Sequence, residues 1–589
     1  MEKIFKSINF ESIILFLLII FSSIMMVYSA LGDSLVFDEL AHIPAGYSYV
    51  KYFDNRLNIE HPPLIKALSS IPLLFLNLNF PSDGKNLESL NQWEIGDKFI
   101  FGSGNNADEI IFMARLGPIF LTLLLIFFTY IIAKNLIGRK WALLPAFFIA
   151  LSPSILAHGH YVTTDIGVSL FILIAIYYFI RYIIEPSSYL LFASALSFGF
   201  AQLAKFSALI LIPIFVVLAI IYAFNNKQWL RLFKNITSVF LLGYLVVYGA
   251  YFLFSINYSA ENQIKNTEFA LGFSDSQRAR ATRESCSVAN LGLALKSRCI
   301  LKESFIKMSG NNITRPMVQY SIGAWLVFKQ SILAHHLTFF NGVLCDCGRW
   351  YYFPILVFLK ESIPGLIFIL FGIVGGLIYF IKIKFKNIRD LFDYIIIHFI
   401  DFSFFFFVII YGIYSIRSNL NIGMRHILPI LAPIYILAAQ AVKKIEIGNF
   451  KKIFVGILIF WYIAEVFFAT PYFISYYNEF GGGLWKGYEY AVDSNYDWGQ
   501  DLKRLAIWVE NNNIEKIFLD YFGAGNLKYY LGDKFVSWDL GDADQKSKTS
   551  NLFAVSVHLL KQYPGNYNWL KNINNPDYRI GTSIFIYKF

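Results

Sequence analysis

Residues 206–224 read FSALILIPIFVVLAIIYAF, a stretch without a single charge. The next ten, NNKQWLRLFK, carry Lys227, Arg231 and Lys234, and a second uncharged run follows over 235–255. About 20 apolar residues, rising ~1.5 Å each as a helix, cross the hydrocarbon core of a bilayer. Two such runs joined by a short basic link make a transmembrane hairpin. The pattern recurs along the chain, with eleven spans expected at 13–31, 110–133, 141–157, 164–180, 189–203, 206–224, 235–255, 361–381, 394–414, 426–442 and 453–474.

Composition agrees with this. Of 589 residues, 56% are hydrophobic, 18% aromatic and only 15% charged, with a mean hydropathy of +0.52. Soluble domains carry about 25% charged residues. A soluble enzyme, a disordered chain and a repeat solenoid are thereby excluded, and the expected fold class is a polytopic α-helical membrane protein. The net charge of +10 is distributed unevenly. With the N-terminus inside, the cytoplasmic segments 1–12, 134–140, 181–188, 225–234, 382–393 and 443–452 hold 17 Lys/Arg and 6 acids, a net +11, and the remainder of the chain sums to −1. That asymmetry is the positive-inside pattern. The basic pI of about 9.0 therefore concerns orientation in a membrane, and no nucleic-acid partner is needed to explain it. Lys3 and Lys6 precede the first run as in a signal peptide, but the run exceeds a typical h-region and Tyr28-Ser29-Ala30 makes a poor cleavage site, so it is expected to remain as an anchor. Residues 67–78 are too short to span and 322–344 are too charged, so both are expected to lie in the interface.

This topology divides the chain into a transmembrane body, 1–474, with exterior loops 32–109 and 256–360, and an exterior soluble tail, 475–589. The tail alternates a helix-like stretch (501–511) with β-like runs (516–522, 553–558, 583–587), which suggests a small C-terminal α/β domain. All four cysteines, Cys286, Cys299, Cys345 and Cys347, fall in the second exterior loop. In an oxidising compartment they are disulfide candidates. Cys345-x-Cys347 is a tight spacing, so each is expected to pair with Cys286 or Cys299. The spacing fits no usual zinc pattern.

No Walker loop, Rossmann glycine pattern or nucleophile elbow occurs. Ionisable groups cluster instead at the outer ends of the spans. One acidic set is Asp38-Glu39-Leu40-Ala41-His42; a second is Asn58-Ile59-Glu60-His61-Pro62-Pro63-Leu64-Ile65-Lys66; a third is the turn from His158 to Asp165. Carboxylates at the mouth of a membrane bundle are functional candidates, although each alone would equally serve to cap a helix. The cations Lys205, Arg349, Lys360 and Arg425 lie on the same exterior side. They suit an anionic lipid headgroup, phosphate or diphosphate, or act as snorkelling anchors. Acids to handle a hydroxyl and cations to hold a lipid phosphate together suggest a transferase with a lipid-linked donor.

At these residues the chain resembles the GT-C superfamily of polyprenyl-phosphate-dependent glycosyltransferases, particularly the protein O-mannosyltransferase family. Asp38-Glu39 matches the family's acidic pair, His61 through Lys66 its His-Pro-Pro-Leu-x-Lys signature, Asp165 its second acidic position and Lys205-Phe206-Ser207 its Lys-Phe/Tyr-Ser hairpin. The tail Asp493-Ser494-Asn495-Tyr496-Asp497-Trp498-Gly499-Gln500-Asp501-Leu502 resembles that of bacterial mannosyltransferase-like membrane proteins. The related lipid A aminoarabinose transferases place Lys where His61 stands, which makes that parallel less close. The resemblance implies a GT-C-like fold in a bacterial inner membrane, and inverting transfer of a sugar from a polyprenyl phosphate to an exterior protein, glycan or lipid acceptor. In that scheme Asp38 is the base, Lys66, Arg425 and Lys205 steady the leaving lipid phosphate with Arg349 and Lys360 as further donor contacts, and Glu39 and Asp165 orient the acceptor or a metal. No cofactor is fixed by the sequence; a divalent cation such as zinc or manganese would suit Glu60 and His61, with His42 near, and His61 is equally a loop anchor. The other function classes are a transporter or flippase for a lipid-linked glycan, for which His398 and Asp401 in the ninth span are the only hint, and a non-catalytic envelope assembly protein.

Overall fold

The structure is a computed structural model, and it describes residues 9–81, 91–271, 293–333, 337–383, 385–538, 551–572 and 575–588. Among these, nine helices are long and apolar enough to cross a membrane: Phe10–Gly32, Ala107–Ile137, Asp165–Ile184, Phe206–Asn226, Trp229–Phe254, Ile363–Lys382, Phe399–Arg417, Met424–Lys444 and Gly448–Ala469. The protein is thus an integral membrane protein of the expected helical class. Two of the eleven expected spans differ. The run at 189–203 forms a shorter apolar helix, Ser188–Ala204. The run at 141–157 breaks into Arg139–Leu151 and Pro153–His158. Proline disfavours helical geometry in the residue before it, and Ser152 is accordingly extended (ψ 121°), its Oγ accepting from the Ile155 amide to cap the second helix. The break aims His158 and the following turn at the site described below.

Helix Asp165–Ile184 is the central element. Its apolar window is 89% buried, against 22% for Trp229–Phe254 at the periphery. The short stretch at 64–75 is a helix, Leu64–Ser70, followed by a 3-10 turn, Pro72–Phe75. It packs on Glu39–Tyr52 so closely that a Cβ on Gly46 would lie 2.1 Å from the Lys66 carbonyl oxygen. The region expected at 322–344 is helix Arg315–Leu333 and an antiparallel hairpin, β1 (Thr338–Phe340) and β2 (Val343–Cys345).

The cysteine expectation is corrected here. Cys345 and Cys347 are bonded to each other, with Cα atoms 5.2 Å apart, a separation suited to a disulfide. The chain bends immediately after β2, and this bend brings the two thiols together. Cys286 and the side chain of Cys299 lie outside the described residues.

In the tail, helix Leu502–Asn511 precedes a five-stranded mixed sheet. Its strands are β3 (Ile517–Asp520), β4 (Phe535–Ser537), β5 (Leu552–Ser556), β6 (Tyr578–Ile580) and β7 (Ile584–Lys588), in the order β4-β3-β5-β7-β6. β3 runs parallel to β4 and β5, while β7 is antiparallel to β5 and β6. Alternation sets the two faces. Ile517, Leu519, Ala554, Ile584 and Ile586 pack with Leu502, Leu505 and Val509 of the helix. Phe518, Phe553, Val555 and Phe585 turn the other way, into a cluster continuous with the core of the membrane body. The tail is therefore built onto the bundle.

Candidate active site

Asp38 stands at the N-terminus of helix Glu39–Tyr52 and makes no side-chain capping bond. Its carboxylate instead pairs with Arg425, brought from 387 residues further along the chain. Both side chains keep partial access, 21% exposed for Asp38 and 10% for Arg425. The guanidinium also lies over the Trp498 ring, 4.5 Å from its centroid, a cation–π contact. The segment carrying Arg425 is fixed by the tail: the Met424 amide donates to Asn495 Oδ1 (2.9 Å), Ser494 Oγ donates to the Ile422 carbonyl (2.6 Å), and Asn495 Nδ2 reaches Tyr352 Oη (3.0 Å). The Asp493–Leu502 sequence is thus a cradle for Arg425. Asp493 itself is held in left-handed backbone at φ 58°. Burial raises its carboxyl to about 6, with Arg425 opposing the rise and Asp38 adding to it.

Asp165, fully enclosed at the start of the central helix, pairs with Lys205 at 2.5 Å. Lys205 extends from the end of Ser188–Ala204, where the backbone opens to β geometry (φ −156°) before the 3-10 turn Phe206–Ile210. Two carboxylate–cation pairs, Asp38–Arg425 and Asp165–Lys205, therefore line one site.

The remaining sequence-derived residues surround these pairs. Glu39 is buried and grips Arg115 through two hydrogen bonds, 3.0 Å from Nε and 2.7 Å from Nη2. It also accepts from the amides of Val36 (3.1 Å) and Val162 (3.0 Å). Arg115 completes its own set on the carbonyls of Ala30, Asp33 and Ser34. This satisfied buried pair locks the loop after the first span to the 158–165 turn. Lys66 is equally enclosed; its ammonium donates to Tyr49 Oη (2.9 Å) and to the Asn58 carbonyl, Asn58 Oδ1 and the His61 carbonyl (2.8 Å each). Lys360 donates to the carbonyls of Ile474 and Asn495, both at 2.7 Å, and Arg349 to those of Phe340 (3.5 Å) and Val343 (3.2 Å). In this structure these three cations clasp backbone, whereas Arg425 and Lys205 face carboxylates.

His42 Nδ1 lies 2.7 Å from the Val162 carbonyl, and the His42 and His61 rings meet edge to face at 5.1 Å. Burial lowers the basicity of His42 against the opposing charge of Asp38, and lowers that of His61 further, with His42 and Lys66 adding to the effect. Glu60 accepts from Gln92 through Oε1 (2.8 Å) and from Gln330 through Oε2 (3.1 Å). Among the described residues, no three His, Cys, Asp or Glu side chains are grouped to hold a metal ion.

The motifs of the sequence do not include Arg115, and they give Trp498 and Asp493 no role separate from the 493–502 stretch. A guanidinium inside an apolar run is itself a signal. It was available at 110–133 and marked the central lock.

These observations define a polytopic membrane protein with an acid–cation site between its loops and its tail. Residues 104–252 match the family model of the dolichyl-phosphate-mannose-protein mannosyltransferases. The matched segment holds Arg115, His158, Asp165 and Lys205. The match takes in 149 of the 589 residues, and the likeness to that family otherwise rests on the signatures quoted above. Among solved structures, the archaeal oligosaccharyltransferase AglB from Archaeoglobus fulgidus, in complex with an inhibitory peptide and a dolichol-phosphate, is similar at a TM-score of 0.46 and 11% identity, over 92% of this chain and 69% of that one. ArnT from Cupriavidus metallidurans bound to undecaprenyl phosphate gives 0.31 and 12%, over 97% of each chain. No curated protein matches the chain.

Proposed function

We propose that this protein is an inverting glycosyltransferase that moves a sugar from a polyprenyl-phosphate donor to an acceptor on the exterior face of the membrane. The observation that carries this reading is the Asp38–Arg425 pair, which unites a base and a phosphate-binding cation at a partly open position. Asp38 takes the proton of the acceptor hydroxyl as its oxygen attacks the anomeric carbon. The bond from that carbon to the lipid phosphate breaks on the opposite face, so configuration inverts and the lipid leaves as its phosphate. Arg425 and Lys205 neutralise the charge that grows on the leaving phosphate. Asp38 and the donor phosphate compete for one guanidinium, so donor binding draws Arg425 away and frees the Asp38 carboxylate to accept from the acceptor hydroxyl.

Glu39, Lys66, Lys360 and Arg349 act as positioning residues, since their polar atoms are engaged by the scaffold. Glu60 and His42 hold loops in the same way, Glu60 through Gln92 and Gln330 and His42 through the Val162 carbonyl. Mannose is the sugar suggested by the family, with protein, surface polysaccharide and lipid glycan as the acceptor classes. The +11 against −1 charge partition supports an exterior active site, in a bacterial inner membrane. Mass spectrometry of surface glycans and proteins from a deletion strain tests the function. One missing sugar, restored by complementation, supports it; an unchanged surface profile contradicts it.

A further inference from the structure

Among the described residues, four side-chain atoms on the elements around Asp165 are buried and without a hydrogen-bond partner: Asp165 Oδ2, His158 Nδ1, Arg425 Nε and His426 Nε2. Asp165, His158 and Arg425 are 1%, 2% and 8% exposed. Buried polar atoms are almost always paired, so several orphans together call for an explanation. They come from three elements that pack on one another: the end of Pro153–His158, the start of Asp165–Ile184 and the 3-10 turn Met424–Ile430. Helix Asp165–Ile184 packs against both of the other elements, and Asp165 is fixed there by its ion pair with Lys205.

The mixture of atoms specifies the ligand. A carboxylate oxygen only accepts, a guanidinium Nε–H only donates, and an imidazole nitrogen does either according to tautomer. A second phosphate offers acceptors alone and would be repelled by Asp165. A hydroxyl both donates and accepts, and a pyranose carries several at fixed spacing. We infer that His158, Asp165 and His426 form a hydroxyl-recognising subsite for the neutral sugar of the lipid-linked donor, next to the cations that take its phosphate. This rests on the glycosyltransferase reading above and deepens it: His158 and His426 become determinants of sugar specificity, with Lys205 setting the orientation of Asp165 through their ion pair.

The test compares binding of bare undecaprenyl phosphate with binding of undecaprenyl phosphate carrying mannose, glucose or galactose, using the full chain in detergent. The wild type should bind at least one glycosylated lipid ~10-fold or more tighter than the bare lipid, as one or two added hydrogen bonds would give. His426→Phe and His158→Phe keep ring shape and lose the free nitrogen. In each, affinity for the bare lipid should stay within about 2-fold while the glycosylated-to-bare ratio falls towards one. His426→Gln, which keeps a donor and an acceptor, should retain much of the ratio. A wild type that binds all four lipids equally overturns the subsite without need of any variant, and so does an unchanged ratio in both phenylalanine variants. If the wild type binds not even bare undecaprenyl phosphate, the glycosyltransferase reading itself fails, and the subsite with it.

Discussion

Asp493 shows how one residue reports on the site around it. Its carboxyl is raised from the ordinary 3.8 to about 6, first by burial and then by Asp38, against the pull of Arg425. The folded state therefore holds this proton more tightly than the unfolded chain. The cost of ionising Asp493 is absent below its ordinary value and fully present above about pH 6. Asn tolerates left-handed backbone, so Asp493→Asn removes the charge without disturbing φ. The wild type should lose thermal stability relative to Asp493→Asn as pH rises from about 4 to about 6, measured as the difference in Tm in detergent. A constant difference across that range would show that Asp493 is solvated in the folded protein. The four residues Asp38, Asp165, Lys205 and Arg425 were each legible in the sequence as charges at exterior span ends. Their pairing was not, because it depends on contacts between separate segments, 40 residues apart for Asp165–Lys205 and 387 for Asp38–Arg425. Lys66 and Lys360 looked the same as Arg425 in sequence, and only the fold reveals the carbonyls that surround them.

At the scale of elements, the Glu39–Arg115 pair ties helix Ala107–Ile137 to the first loop and to the 158–165 turn. Both members are fully enclosed. Breaking a buried pair by removing one partner costs ~3–5 kcal/mol, because the other charge stays buried and unpaired. Arg115→Met should lower stability by that order, seen in thermal unfolding, and the double variant Arg115→Met with Glu39→Leu should recover part of the loss. No loss in the single variant would mean that water reaches Glu39. The long helices were readable from apolar length alone, since bilayer thickness sets one requirement for every span. The break at Ser152-Pro153 was also written in the sequence, although the hydropathy of 141–157 obscured it. The β-like runs of the tail located three of its strands. That one sheet face would join the membrane body depends on Phe518, Phe553 and Phe585 meeting a surface that no local pattern displays. The Cys345–Cys347 bond likewise followed from a bend after β2 that residue spacing does not convey.

For the whole molecule, the central question is whether the acid–cation site faces outward and transfers sugar. Cysteines introduced singly at Lys386, Lys486 and Lys528, all exposed, report the orientation. An impermeant maleimide applied to intact cells, with the outer membrane permeabilised where there is one, should label positions 486 and 528 and spare 386; the reverse pattern would put the site on the cytoplasmic face. The most direct measurement follows the sugar itself. Purified protein in liposomes is given a polyprenyl phosphate with a radiolabelled sugar and an acceptor fraction from the deletion strain, and label in the acceptor is counted. The wild type should transfer label. Asp38→Asn, which removes the competitor for Arg425, should bind the lipid at least as tightly and turn over roughly 10²–10⁴-fold more slowly, as loss of a general base does. Arg425→Ala should weaken lipid binding and turnover together, because the phosphate is charged before and after transfer. Transfer at wild-type rates by Asp38→Asn, with Arg425→Ala also unimpaired, would contradict the assignment of the site.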